Sequence, residues 1–224
     1  MGFLNDYKKI KSQTQNPNFE LSYGNFLPAL TDKTATTPLD PIYFYQDSWA
    51  ASKIFAQKPT HHFDIGSAAK TIGILSQFVP ITMIDIRPIA LKLYNLHFLE
   101  GSITQLPMPS NSVESLSSLC VVEHIGLGRY GDPIDSYGSE KAIEELKRVC
   151  APSGTVLFSV PVDASGKVYF NAHRAFAPAY IKQQFVGFEL LDEQYIYGTA
   201  MQPTYEPQKG YGVGLYYFKK TMGG

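Results

Sequence analysis

The chain has 224 residues, enough for one sizeable core and short for two, so a single domain with an extension is expected. Hydrophobic residues make up 44% and charged residues 17%, which excludes an intrinsically disordered chain. Lys and Arg total 19 against 20 Asp and Glu, so nothing points to a non-specific nucleic-acid or membrane-surface binder, and no apolar run reaches bilayer length.

The opening "MGFLNDYKKIK" has acid and lysine early and no apolar signal-peptide core, and Asp6 stands where a myristoylation signal wants Ser or Thr. Cys120 and Cys150 have neither metal spacing nor the look of a disulfide framework, so a reduced, cytoplasmic setting is expected. Residues 1–40 are rich in Asn, Gln, Thr and Pro, which predicts an irregular arm, with a disordered tail as the rival reading. Residues 41–224 then form the main domain. Its first helix is expected from about Gln46, with Asp47 or Ser48 as cap.

An alternation follows. "HHFDIG" reads as a strand, and "AAKTIGILSQF" as a helix with Ile72, Leu75 and Phe78 on one face. "ITMIDI" is a second strand; "PIALKLYNL" reads as a helix opened by Pro88. "HFLEGSI" and "SVESLSSLCVV" are further strands, and "GSEKAIEELKRVC" is an amphipathic helix with Ile143, Leu146 and Val149 inward. "GTVLFSVPV", then a helix–strand pair broken at Gly187, then "GVGLYYFKK" complete the pattern. Alternation of this kind predicts an α/β fold, a mostly parallel sheet covered on both faces, closed by a hairpin with an antiparallel edge strand. The aromatic share of 13% is read first as core packing, with a substrate groove or an oligomer interface as alternatives.

The stretch "FDIGSAAKTIGIL" (Phe63–Leu75) has the strand–turn–helix form of a nucleotide site, with Ala68 where a dinucleotide fingerprint needs its second glycine. Asp85, ending the second strand, is placed to accept hydrogen bonds from two ribose hydroxyls. Both nicotinamide dinucleotides and S-adenosylmethionine carry such a ribose. The thinned turn leans toward S-adenosylmethionine, which has no phosphate, and a turn with no ligand is the bland alternative.

"GSITQLPMPSNSVESLSSLCVVEHI" with "AIEELKRVCAPSGTVLFSVP" resembles the middle of class I S-adenosylmethionine-dependent methyltransferases, over roughly Phe63 to Pro161. Three positions depart from that pattern: Ser102 for an acid near the adenine amine, Glu114 for the Asp of "FD", and Ser153 for the first glycine of "PGG". "EHIGLGRYGDPID", "FNAHR" and "GYGVGLYYFKK" resemble, more narrowly, a bacterial family of little-characterised methyltransferase-like proteins that often accompanies surface-polysaccharide genes. The resemblance implies a Rossmann-like three-layer sandwich of about seven strands, the last antiparallel. It also implies S-adenosylmethionine as cofactor.

The candidate cofactor contacts are Asp64, Gly66, Ser67, Asp85, Ile86, Arg87, Ser102, Ile103 and Cys120. On the acceptor side, His124 is a candidate general base, against a structural histidine. Asp132 is the second catalytic candidate, and Glu123, Arg129, Tyr130, Asn171, His173 and Arg174 are candidate substrate contacts. Arg129 and Asp132 could equally pair with each other, and a capping role competes for some of the "NAHR" residues. The Glu-x-x-Glu-His metal set of some such enzymes reads Cys120 to His124 here, with a thiol in place of the first oxygen ligand, so no metal is expected. The expected function is methyl transfer to a small polar acceptor, such as a sugar or surface-polysaccharide precursor, with at most a second copy as protein partner. The alternatives are a non-catalytic module binding a cofactor or nucleotide sugar, and a nicotinamide oxidoreductase, which Ala68 argues against.

Overall fold

The computed structural model describes residues 2–223, and the chain divides into two compact units, Met1–Leu39 and Asp40–Gly224. The first unit is not irregular throughout. Helix α1 (Phe3–Lys11) carries an aromatic cluster in which the rings of Phe3, Tyr7 and Tyr23 each lie 4.7–5.3 Å from that of Phe26. Such packing gives a Pro- and Asn-rich segment an apolar centre that its composition hides.

The second unit opens with α2 (Pro41–Gln57), a turn earlier than predicted. Asp40 Oδ1 accepts from the Ile42 amide at 2.9 Å and Pro41 takes the first helical position, so the start signal is "DP" rather than Asp47 or Ser48. Eight strands form one sheet: β1 (His62–Ile65), β2 (Ile81–Asp85), β3 (Leu96–Glu100), β4 (Val113–Leu119), β5 (Cys150–Val162), β8 (Phe188–Tyr197), β9 (Ala200–Gln202) and β10 (Gly212–Lys220). Its order is β3-β2-β1-β4-β5-β10-β8-β9, with the pairs among the first five parallel. Strand β10 runs antiparallel to both β5 and β8. The predicted antiparallel strand therefore exists, but it lies inside the sheet and not at its edge; the edge beyond it is β8 extended by the three residues of β9. A separate hairpin pairs β6 (Lys167–Tyr169) with β7 (His173–Ala175).

Helices cover both faces. On one, α4 (Gly138–Val149) and α5 (Pro178–Gln184) bury Ile143, Leu146 and Ile181 against Ile65, Leu116 and Phe158. On the other, α2 and α3 (Ala69–Leu75) bury Trp49, Ile54 and Ile72 against Ile81, Leu157 and Leu215. Three layers result, as the alternation predicts. Helix α2 is pinned to β8 by Asp192, which accepts from Trp49 Nε1 at 3.0 Å and pairs with Lys53 at 2.6 Å. Among the described residues no helix is long and apolar enough to cross a membrane.

One predicted helix is absent. Residues 88–95, read as a helix opened by Pro88, run irregularly between β2 and β3. Asp85 turns the chain by accepting from the Arg87 amide at 2.8 Å, the Asn95 carbonyl accepts from the Ile81 amide, and Leu93 packs beside Gly73 of α3.

Candidate functional site

The strand order reverses between β1 and β4, and a cavity of about 730 Å³ opens at the carboxyl ends of these strands and β2. Ligands of open parallel sheets sit at such a reversal, and the volume suits a small molecule.

Its floor begins with the turn after β1. Gly66 has φ +73°, and a Cβ there would lie 2.9 Å from Val121 Cγ1. The turn is held from below by Asp64, which accepts from the Ser67 amide (3.0 Å), from Ser67 Oγ (2.6 Å) and from Ser117 Oγ. Ser117 and Ser115 also hold the two ring nitrogens of buried His62 at 2.9 and 2.8 Å. Burial pushes the Asp64 carboxyl up to about 6, against the hydrogen bonds from Ser117 and Ser67, and drives His62 down to about 3. Asp64 is therefore not a lining residue as predicted; its oxygens are spent on the turn. Gly66→Ala is expected to cost about 1–3 kcal/mol, through the positive φ and the Val121 contact, measured by chemical denaturation.

The other predicted cofactor contacts line the cavity: Gly66, Ser67, Asp85, Ile86, Arg87, Ser102, Ile103 and Cys120. Asp85 spends Oδ1 on the Arg87 amide and, at 3.4 Å, on Arg87 Nε; Oδ2 has no partner among the described residues. Ser102 Oγ shares a hydrogen bond with Thr104 Oγ1 at 2.9 Å, which offers hydroxyls where the family pattern has an acid. Ala68 and Ala69 of the turn also line it, as do Tyr43, Thr104, Gln105 and Lys141, which escaped the sequence reading. Tyr43 comes from α2, far upstream, and only the fold brings it there.

The acceptor-side candidates separate. His124 and Tyr130 line the cavity, with rings 5.4 Å apart, and Arg87 lies 4.4 Å over the Tyr130 ring. His124 Nδ1 lies 2.7 Å from the Ala172 carbonyl. A carbonyl only accepts, so Nδ1 carries the hydrogen and Nε2 the lone pair. Burial holds the imidazole below its ordinary value, with the Arg129 charge adding to that and the Ala172 bond opposing it.

Asp132 lines the cavity, but its carboxylate accepts from the amides of Gly126 (2.6 Å), Gly128 (3.4 Å) and Tyr130 (3.3 Å). These bonds tie its carboxylate to the loop, and among the described residues it forms no ion pair with Arg129. Gly126 must be glycine, since φ is +83° and a Cβ would collide with the Asp135 carbonyl. Arg129 does not line the cavity; its Nη1 donates to the Ala172 carbonyl at 2.9 Å. Arg174 is buried, donating to the carbonyls of Ile125 and Asp135 and to Ser139 Oγ, and so clamps the loop from β7 rather than facing a substrate. Asn171 is exposed in the β6–β7 turn, and the His173 ring packs at a tilt against Tyr169 and Tyr211 at 5.1 and 5.7 Å; neither residue lines the cavity. Glu123 is buried at 2% exposure, its Oε2 without a partner among the described residues. Burial pushes its carboxyl up to about 8. It too sits behind the wall and not in it.

A family model described as Caenorhabditis protein of unknown function, DUF268, matches residues 101–204, under half of the chain. No curated protein matches. Among solved structures, the Burkholderia thailandensis 1,6-didemethyltoxoflavin-N1-methyltransferase, with its namesake substrate and S-adenosylhomocysteine bound, is similar at 13% identity and TM-score 0.59, over 84% of this chain and 93% of that one. The N-methyltransferase NodS from Bradyrhizobium japonicum WM9, in complex with S-adenosylhomocysteine, is similar at 16% identity and TM-score 0.57, over 81% and 88%. The cyclase SpnF is similar at 13% identity and TM-score 0.57, over 78% and 81%. At these identities the likeness is one of fold: the chain has the Rossmann-like architecture of methyltransferases. The cyclase among them is a reminder that one fold carries more than one chemistry.

Proposed function

We propose that the chain is an S-adenosylmethionine-dependent methyltransferase acting on a small polar acceptor, in the cytoplasm and without nucleic acid or membrane as partner. The observation that carries this reading is the cavity at the strand reversal, lined both by the small-residue turn and by Asp85, whose Oδ2 has no partner among the described residues. The residues present fit the cofactor: Asp85 for the ribose hydroxyls, Ser102 and Ile103 for the adenine, Gly66 and Ser67 beside the amino-acid portion. The sulfonium methyl would supply the electrophile, and the protein's part is alignment and removal of a proton. Tyr130, Tyr43 and His124 offer aromatic faces and one lone-pair nitrogen to a polar acceptor, with a sugar or surface-polysaccharide precursor as the specific candidate.

Titration calorimetry with S-adenosylhomocysteine and with NAD tests this. Binding of S-adenosylhomocysteine alone is the expected result. Binding of NAD alone would replace the reading with an oxidoreductase. Binding without any methyl release across an acceptor screen would favour a non-catalytic module, and the engagement of Asp132 by backbone amides is what gives that second reading weight.

A further inference from the structure

Glu123 has no part in cofactor or acceptor binding, yet a buried carboxyl whose Oε2 has no partner among the described residues needs a reason. Its Oε1 lies 3.7 Å from His124 Nε2, the nitrogen that the Ala172 carbonyl leaves without hydrogen. Both residues lie in the short turn Val122–His124 that leaves β4. We propose that Glu123 is the positioning and charge partner of His124, making the two a dyad built to deprotonate a hydroxyl acceptor. This rests on the methyl-transfer reading above.

The step balances. His124 Nε2 takes the proton from the acceptor hydroxyl as that oxygen bonds to the methyl carbon and the carbon–sulfur bond breaks, leaving a neutral thioether. Once Glu123 has lost its own proton, near pH 8, it faces the resulting imidazolium across the 3.7 Å gap and offsets its burial. The arrangement has the form of a base oriented on one nitrogen by one group and electrostatically supported by another.

Two neighbours bear directly on the pair: Arg129 Nη1 lies 3.4 Å from His124 Nδ1, and Cys120 bears on Glu123. Cys120, the residue after β4, directs its thiol to Gln46 Oε1 at 3.0 Å and helps hold the Glu123 carboxyl down against its burial. Arg129 approaches from the same loop as His124, held by the Ala172 carbonyl, and favours the ionised form of Glu123. Asp132 is tied to backbone amides, and the ring of His173 of β7 packs at a tilt against Tyr169 and Tyr211. Tyr43 of α2 and Tyr211 before β10 both feel the Glu123 charge, and burial raises both phenols, Tyr211 to about 12. At neutral pH neither phenol ionises, which leaves Glu123 as the group that changes charge beside His124 on the alkaline side.

Histidine ring resonances followed by NMR against pH test the dyad with no acceptor present. The chain has five histidines, and His124 is assigned by the signal lost in His124→Gln. The His124 signal is expected to move twice: once below the ordinary histidine value as the ring titrates, and again near pH 8 as Glu123 ionises. Glu123→Gln is expected to remove the second step and Glu123→Asp to restore it. A wild-type signal that stays flat above neutral pH overturns the proposal even where no variant folds, and so does a second step that persists in Glu123→Gln. Calorimetry with S-adenosylhomocysteine runs separately. Binding with a flat His124 titration sinks the dyad alone, and the two-step titration without binding sinks the methyl-transfer reading and leaves the pair.

Discussion

At about pH 9 the Glu123→Gln chain is expected to be more stable than the wild type by a few kcal/mol, with the two nearly equal at about pH 5. Glu123 is an acid whose folded value, about 8, lies above its ordinary 4.5. Its protonated form therefore favours the fold: the contribution is fully present below 4.5 and is lost as pH rises to about 8. The amide keeps the shape and has no proton to lose. For a chain of this size the expected gap in melting temperature is about 5–15 °C at the alkaline end. The comparison between variants matters because other groups bend the profile. His62 lies at about 3, below its ordinary 6.5, so the unfolded chain binds the extra proton and stability falls as pH drops from 6.5 toward 3. Asp64, raised to about 6, costs stability between its ordinary 3.8 and that value. Both terms are common to the two proteins and cancel in the difference. Thermal scans across this range check it, and parallel profiles would mean that water or a counter-charge already reaches Glu123.

The sequence made the β–α alternation legible wherever an element is long and one-sided. Helix α4 shows its inward stripe because Ile143, Leu146 and Val149 recur at helical spacing against charged neighbours. Residues 88–95 misled for the opposite reason: "PIALKLYNL" has a helix opener and apolar residues, but the Asp85 turn and the Asn95–Ile81 bond commit the linker's two ends first. Strands β6 and β7, three residues each, are too short for any period to register. At the site, the predicted cofactor contacts that line the cavity sit at or just beyond strand ends, where geometry follows from topology. Those that proved to be supports, Asp64, Asp132 and Arg174, carry the same polar side chains, and nothing in a linear sequence says whether a carboxylate will spend its lone pairs on backbone amides or keep them for a ligand. Ser115 and Ser117 illustrate the point. In the sequence they dilute a strand, and in the structure they hold His62, with Ser117 reaching on to Asp64 beneath the turn.

Asp85 is where that distinction can be measured. One of its oxygens does what Asp132 does, turning the chain by accepting from the Arg87 amide, and the weak 3.4 Å contact with Arg87 Nε adds little with that arginine side chain 57% exposed. The other oxygen has no partner among the described residues and lies on a residue lining the cavity. If a ribose sits there, its two hydroxyls lose a charge-assisted acceptor in Asp85→Asn, which is expected to cost about 1.5–3 kcal/mol, or roughly ten- to a hundredfold in affinity for S-adenosylhomocysteine. The turn itself should survive, because Asn offers an oxygen to the Arg87 amide as Asp does, and no buried charge pair is broken. The melting temperature is therefore expected to stay nearly unchanged while affinity falls. A variant that binds as tightly as the wild type would reduce Asp85 to a turn former and remove the ribose from the end of β2. A variant that loses affinity and melting temperature together would locate the defect in the turn. Only loss of affinity at constant stability assigns the free oxygen to the ligand.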